Sequence, residues 1–178
     1  VLKHALINDE VYWDEVKDIE VSLDSDWTKI IEHSVQIKNK VVLEDPTEQG
    51  LRKILNYGHT IGHAIETWHL ENDPNFFLHG EAIAIGMIAE GYLSMQKTGL
   101  NQESLDEISQ VLKTQFELKP IPVERFEDYG NLMIHDKKNS EGRISFSLLS
   151  KIGECKWDQF CNKEEILKAL EYYNKTVA

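Results

Sequence analysis

Proline and glycine are scarce in this chain, four and ten in 178 residues, and between them apolar residues recur at helical spacing over long stretches. Few breakers mean few enforced turns, so the pattern predicts a mainly α fold. Residues 1–7 read as the tail of a helix, whereas 11–17 are ambiguous. Residues 26–40 set Trp27, Ile30, Ile31, Val35 and Ile37 near one helical stripe behind an Asp26 N-cap. Residues 44–50, with Pro46 and Gly50, interrupt the pattern. Further helices are predicted over 51–68, 81–98 (stopped by Gly99), 105–116, 125–133 and 163–173. Turn signals stand at Asn72-Asp73-Pro74-Asn75 and at Asn139-Ser140-Glu141-Gly142. After the second, Ile144, Phe146 and Leu148 alternate with Ser145 and Ser147, which predicts one short strand or hairpin over 143–149. No second boundary emerges, so residues 1–178 are read as a single helical domain.

Composition narrows the partners. With 41% hydrophobic residues the chain can bury a core, and 31 acidic against 19 basic residues leave a net charge of −12. A field of that sign opposes nucleic acid and anionic membranes. No apolar run approaches the roughly 18 residues of a membrane span, and the N-terminus has no signal-peptide pattern. Cys155 and Cys161 are too few for a disulfide framework and badly spaced for a zinc knuckle, so a reducing cytoplasm is the simplest location. Val1 stands where Met is expected and already lies inside an apolar pattern, as though cut from a longer protein.

The chemistry concentrates in residues 50–66. Placed on one α-helix at about 100° per residue, Arg52, Asn56, His59 and His63 fall within a stripe about 60° wide and about 16 Å long. Ile54, Leu55, Ile61 and Ile65 point elsewhere. Gly58 and Gly62 each cost a helix about 1 kcal/mol relative to Ala, which implies room for a neighbouring backbone or a ligand. An i,i+4 histidine pair can hold one metal ion, although Thr60 stands where the zinc-peptidase motif has glutamate. The blander reading makes both histidines surface or hydrogen-bonded core residues.

His79 precedes a helix rich in small residues (Ala82, Ala84, Gly86, Ala89, Gly91), whose close packing on the first helix would bring a third imidazole to the pair. The blander reading is a simple helix start, with Glu81 favourable in the first turn. Lys3, Lys38, Arg52, Lys137 and Lys138 supply positive charge within an acidic chain. Arg52 beside two histidines suits a phosphate or carboxylate held near a metal.

These blocks resemble a known family. Leu51-Arg52, Leu55-Asn56-x-Gly58-His59-Thr60-x-Gly62-His63-Ala64-x-x-Glu66 and Leu78-His79-Gly80-Glu81-Ala82-x-Ala84-x-Gly86-Met87 are similar to the signature blocks of the 3-dehydroquinate synthases. Lys38 through Asp45-x-x-Glu48-x-Gly50, Asp136-Lys137-Lys138-Asn139 and the opening Val1-Leu2-Lys3 agree. The resemblance covers the C-terminal, largely helical half of such an enzyme. It implies conversion of 3-deoxy-D-arabino-heptulosonate 7-phosphate to 3-dehydroquinate in the shikimate pathway. The implied steps are transient NAD-dependent oxidation, phosphate elimination, reduction and aldol closure. It implies His59 and His79 as ligands of Zn2+ (or Co2+), and His63 as a catalytic group near substrate. Lys3, Lys38, Arg52, Asn56 and one or both of Lys137 and Lys138 are implied as substrate-binding, with Lys38 and Arg52 also catalytic.

The resemblance further implies an N-terminal NAD-binding domain, a homodimer as the intact enzyme, and a third ligand, a glutamate, at the position just before Val1. By that reading the 178 residues alone are inactive and bind zinc weakly. The alternatives are another sugar phosphate cyclase, a metal-dependent alcohol or glycerol dehydrogenase of the same architecture, or a non-catalytic helical interaction domain.

Overall fold

The computed structural model describes residues 1–20, 26–73, 77–136 and 143–178, apart from the side chains of 135 and 136. Two short helices open it, α1 (Leu2–Asn8) and α2 (Glu10–Val16), followed by α3 (Thr28–Glu44). A 3-10 segment (Leu51–Asn56) leads to α4 (His59–Asn72), α5 (His79–Lys97) and α6 (Gln102–Gln115). After a 3-10 turn (Val123–Arg125) come α7 (Phe126–Asp136), the antiparallel strands β1 (Ile144–Lys151) and β2 (Glu154–Cys161), and α8 (Lys163–Val177). The chain is thus mainly α with one hairpin, and no described helix is long and apolar enough to cross a membrane.

Helix α5 is the hub. Every residue from Ala82 to Gly91 is buried, which is possible only because this segment is apolar or small on all sides, Glu90 excepted. Helices α4, α6 and α8 and strand β1 surround it. Helix α8 shows how its neighbours contribute: Ile166, Ala169, Leu170 and Tyr173 bury one stripe at i, i+3, i+4 and i+7. Ser94, also buried on α5, donates to the Glu90 carbonyl (2.7 Å) and accepts from the Leu149 amide (2.9 Å), which ties β1 to the hub.

Small residues set how closely α4 meets α5. A Cβ on Gly86 would lie 1.9 Å from the Gly58 carbonyl oxygen, and one on Gly62 would lie 2.8 Å from the Ala82 carbonyl oxygen. These are backbone-to-backbone contacts that any side chain would prevent.

Several local expectations change. The predicted helix over 51–68 is broken: residues 51–56 form a 3-10 turn, Tyr57 leaves the helical region (ψ 128°), and Gly58 enters the left-handed region at φ 78° before α4 begins. Arg52 and Asn56 therefore do not share an α-helix with His59 and His63. Residues 11–16 belong to α2, with Lys17 at its C-cap, and the Asp9 carboxylate caps its start by accepting from the Tyr12 amide at 2.9 Å. Helix α3 starts at Thr28 with Trp27 at the cap position, although the Asp26 carboxylate does accept from the Thr28 amide (3.0 Å), and it buries Ser34, Ile37 and Val41 while leaving Ile31 and Val35 exposed. Strand β2 has no alternating apolar pattern and is largely exposed, so periodicity could not reveal it. The 139–142 turn signal lies outside the described residues, as does part of the 72–75 signal.

Candidate active site

The broken helix still delivers its polar residues to one place. His59 opens α4, His63 follows one turn later, and His79 opens α5. One ligand atom from each of the three imidazoles lies within 4.8 Å of the others, the ring centroids being 5.0 to 5.9 Å apart. Three imidazoles at this spacing suit a borderline-soft divalent ion.

Hydrogen bonds orient two of the rings. His59 Nδ1 faces the Tyr57 carbonyl oxygen at 3.1 Å, and His79 Nδ1 faces the Glu66 carboxylate at 3.1 Å. Each acceptor holds the proton on Nδ1 and leaves the Nε2 lone pair for a metal, the arrangement that outer carboxylates and carbonyls give ligating histidines. Burial first, then the Lys3 charge, lowers the His59 pKa to about 4, so this ring is neutral at pH 7.

The second part of the site is cationic. Lys3, Lys38, Arg52, Asn56 and His59, with His4, Leu55 and Glu48, line a cavity of about 210 Å³. Lys3 Nζ donates to the Leu55 carbonyl (2.7 Å) and lies 3.2 Å from His59 Nε2, so one lone pair serves either this ammonium or a metal ion. Burial, followed by the Lys38 charge, lowers the Lys3 pKa to about 8. Arg52 is delivered by the 45–52 loop: Asp45 accepts from the amides of Gly50 (2.7 Å) and Arg52 (3.1 Å), while the guanidinium donates to the Pro46 carbonyl (2.9 Å).

Two open clefts flank the cluster. One, about 490 Å³ and mostly apolar, runs from His59 and His79 past Ile83, Met87 and Phe116 to Trp27. The other, about 530 Å³, contains His63 with Thr60, Glu66 and Thr67. His63 thus lines a different opening from the cationic cavity, whereas His59 lines both that cavity and the apolar cleft. Lys137 and Lys138 lie outside the described residues.

The sequence pattern of the 3-dehydroquinate synthase C-terminal family matches residues 1–139. The chain belongs to the 3-dehydroquinate synthase family. The 3-dehydroquinate synthase of Parabacteroides distasonis is 37% identical over 99% of this chain, and that of one Helicobacter pylori strain is 39% identical over 90%. This chain spans about half the length of these relatives, 50% and 45% respectively. Among solved structures, 2-deoxy-scyllo-inosose synthase complexed with carbaglucose-6-phosphate, NAD+ and Co2+ is 26% identical, with a TM-score of 0.76 over 95% of this chain and 48% of its own. A 2-epi-5-epi-valiolone synthase from Streptomyces hygroscopicus, solved with NAD+ and Zn2+ bound, shares the fold at 21% identity, TM-score 0.77, over 98% and 49%.

Within this 3-dehydroquinate synthase domain, sequence reasoning assigned no role to three carboxylates. Glu48 accepts from the Asn56 amide nitrogen (2.8 Å) and lies 3.7 Å from Arg52 Nε, orienting both from a left-handed backbone at φ 57°. Glu66 stands inside a quoted motif one turn beyond His63, a spacing that could have flagged it as a partner of the cluster. Glu90 is fully buried on α5, and a charge in an otherwise apolar stretch was its only signal.

Proposed function

We propose that this chain is the metal- and substrate-binding half of a 3-dehydroquinate synthase. That enzyme is a cytoplasmic lyase of the shikimate pathway converting 3-deoxy-D-arabino-heptulosonate 7-phosphate to 3-dehydroquinate and phosphate. The observation that carries the reading is the meeting of His59, His63 and His79 beside a cavity lined by Lys3, Lys38, Arg52 and Asn56. Family membership gives that arrangement its reaction. The 2-deoxy-scyllo-inosose synthase complex, which holds NAD+ and Co2+, supports the cofactor set.

His59 and His79 hold the divalent ion, Zn2+ or Co2+, through the Nε2 atoms that their Nδ1 partners leave available. When bound, the metal supplies Lewis acidity toward a substrate hydroxyl, and NAD supplies a reversible hydride acceptor. His63 moves a proton at a substrate oxygen. Arg52 and Lys38 hold the anionic groups, Asn56 and Lys3 complete the contacts, and Lys137 or Lys138 joins them. Fixed cations in a restricted cavity also stabilise the negative charge that develops as phosphate leaves. A net charge of −12 does not prevent this, because the cations that meet the substrate are local and close, whereas distant acidic residues are screened within about 8–10 Å.

Among the described residues no glycine-rich turn joins a strand to a helix N-terminus, the usual dinucleotide cradle. The match to about half the length of its relatives supports assigning NAD mainly to an N-terminal domain, with residues 1–178 as one helical unit beside it and the intact enzyme a homodimer. The 178 residues alone are expected to be inactive and to bind zinc weakly. The test is phosphate release from the heptulosonate phosphate by a two-domain polypeptide carrying this half, by its His59→Ala variant, and by the isolated 178 residues. Ordinary turnover by the isolated chain, or none by the intact enzyme, overturns the reading. The likeness to 2-deoxy-scyllo-inosose synthase favours one second reading, a related sugar phosphate cyclase, and turnover of a different sugar phosphate in the same assay would establish it.

A further inference from the structure

Glu90 sits 11 residues after His79 on α5, with no exposed surface, in the middle of the most apolar stretch of the chain. Its two carboxylate oxygens reach across to the start of α4. Oε2 accepts from the Gly58 amide at 2.7 Å, and Oε1 accepts from the Ile61 amide at 3.0 Å. These amides belong to the N-terminal turn of α4, whose first N–H groups have no partner within their own helix. They also bracket His59. A carboxylate taken fully out of water is costly, and the return here is two charge-assisted hydrogen bonds at the positive end of a helix dipole.

The consequence is positional. Glu90 fastens the first turn of α4 to the middle of α5, and the first residue of α5 is His79. Gly58, Gly62 and Gly86 allow the two backbones to touch, the Tyr57 hydroxyl donates to the Met87 carbonyl (2.8 Å), and Glu90 adds the tie that holds the turn carrying His59. The geometry points to Glu90 as a positioning residue of the metal cluster, holding His59 in register with His79 without touching the ion. This inference rests on the metal-binding reading above.

The experiment is a Co2+ titration of the intact enzyme and of its Glu90→Gln variant, following affinity and the visible Co2+ absorption, with thermal unfolding measured in parallel. Glutamine keeps the shape but sets an NH2 group against one of the two amide donors. We expect the Co2+ dissociation constant to rise about tenfold or more, the range seen when partners of metal ligands are removed, and the absorption bands to shift. A lower Tm with unchanged affinity and spectrum makes Glu90 merely a stabilising cap and overturns the inference while leaving the metal site intact. If the unaltered enzyme binds no Co2+, or His59→Ala binds it as tightly, the metal reading itself fails. Should Glu90→Gln not fold, amide hydrogen exchange on the unaltered enzyme decides. Coupling is reciprocal, so saturation with Zn2+ should slow exchange at the Gly58 and Ile61 amides, and no change there overturns the inference.

Discussion

Replacing Gly86 with alanine sets two opposite effects against each other. Helix propensity alone favours the change by about 1 kcal/mol, since Gly86 lies inside α5. Packing opposes it, because the new Cβ would lie 1.9 Å from the Gly58 carbonyl oxygen, 2.8 Å from the Gly62 amide nitrogen and 2.9 Å from the Gly58 carbonyl carbon. Ordinary carbon–oxygen contacts start near about 3.3 Å, so α4 and α5 must separate by roughly 1.4 Å at this point. All three obstacles are backbone atoms, and no rotamer change relieves them. Overpacking of this kind costs about 1–3 kcal/mol and sometimes more, and here it also strains the Glu90 bond to the Gly58 amide.

Sterics therefore win. A displacement this large against backbone puts the cost at the upper end of that range, about 3 kcal/mol, so we expect Gly86→Ala to lose about 2 kcal/mol net, a fall in Tm of roughly 4–8 °C for a domain of this size. Thermal unfolding followed by far-UV circular dichroism is the assay. Gly80→Ala is the matched control, since its Cβ would meet only Phe116 at 3.6 Å, an ordinary contact, and it should be neutral or stabilising. If both variants melt within about 1 °C of the parent, α4 and α5 do not touch through their glycines and the account of the site's geometry is wrong.

Other outcomes follow from the same structure. His4, whose pKa is lowered to about 4 chiefly by burial, with the Lys3 charge adding to it, binds its proton less readily folded than unfolded. Stability should therefore fall as pH drops from about 6.5 toward 4, by about 1–2 kcal/mol after allowing for its partial exposure. A His4→Gln variant should flatten that part of the profile in pH-dependent urea titrations. Arg52→Ala removes a partly exposed side chain that makes a guanidinium–carbonyl contact and a loose ion pair, so its Tm should change little. Turnover by the intact enzyme should drop about 100-fold or more, and an early melt with normal kinetics would make Arg52 structural. His59→Ala should abolish stoichiometric Zn2+ binding in calorimetry. His63→Ala should retain the ion and lose turnover, and loss of the ion there would make His63 a ligand instead.

How far the site could be read in advance varied with the kind of residue. His59 and His63 were found through i,i+4 spacing, and His79 through the small residues after it, because Ala82, Gly86 and their neighbours announce a helix that packs closely. Arg52 and Asn56 reach the same place by a different path from the one expected. The α-helical stripe breaks at Gly58, where a left-handed residue and the Glu90 carboxylate start a new helix. Periodicity counts residues as though the helix continued and has no means of registering an acceptor donated by another element. Strand β2 escaped for a related reason: its side chains are mostly exposed, so pairing with β1, and not burial, makes it a strand.

The sequence by itself determined the mainly α character, the apolar stripes that became α6 and α8, and the all-apolar segment that had to become a buried helix. It also determined which imidazole and cationic side chains are available to the candidate site. These properties follow from local pattern and chemical type, which each residue carries with it. Tertiary structure alone decided that Glu90 caps α4, that Glu66 and the Tyr57 carbonyl orient His79 and His59, and that Glu48 sits between Arg52 and Asn56. Each of those contacts joins groups from separate turns or elements, over separations of two to 32 residues. A hydrogen bond of that kind depends on distances of a few ångströms: those of Glu90 and Glu66 exist only once α4 and α5 have closed on their glycines, and those of Glu48 and Tyr57 only once the backbone has turned at 48 and 58.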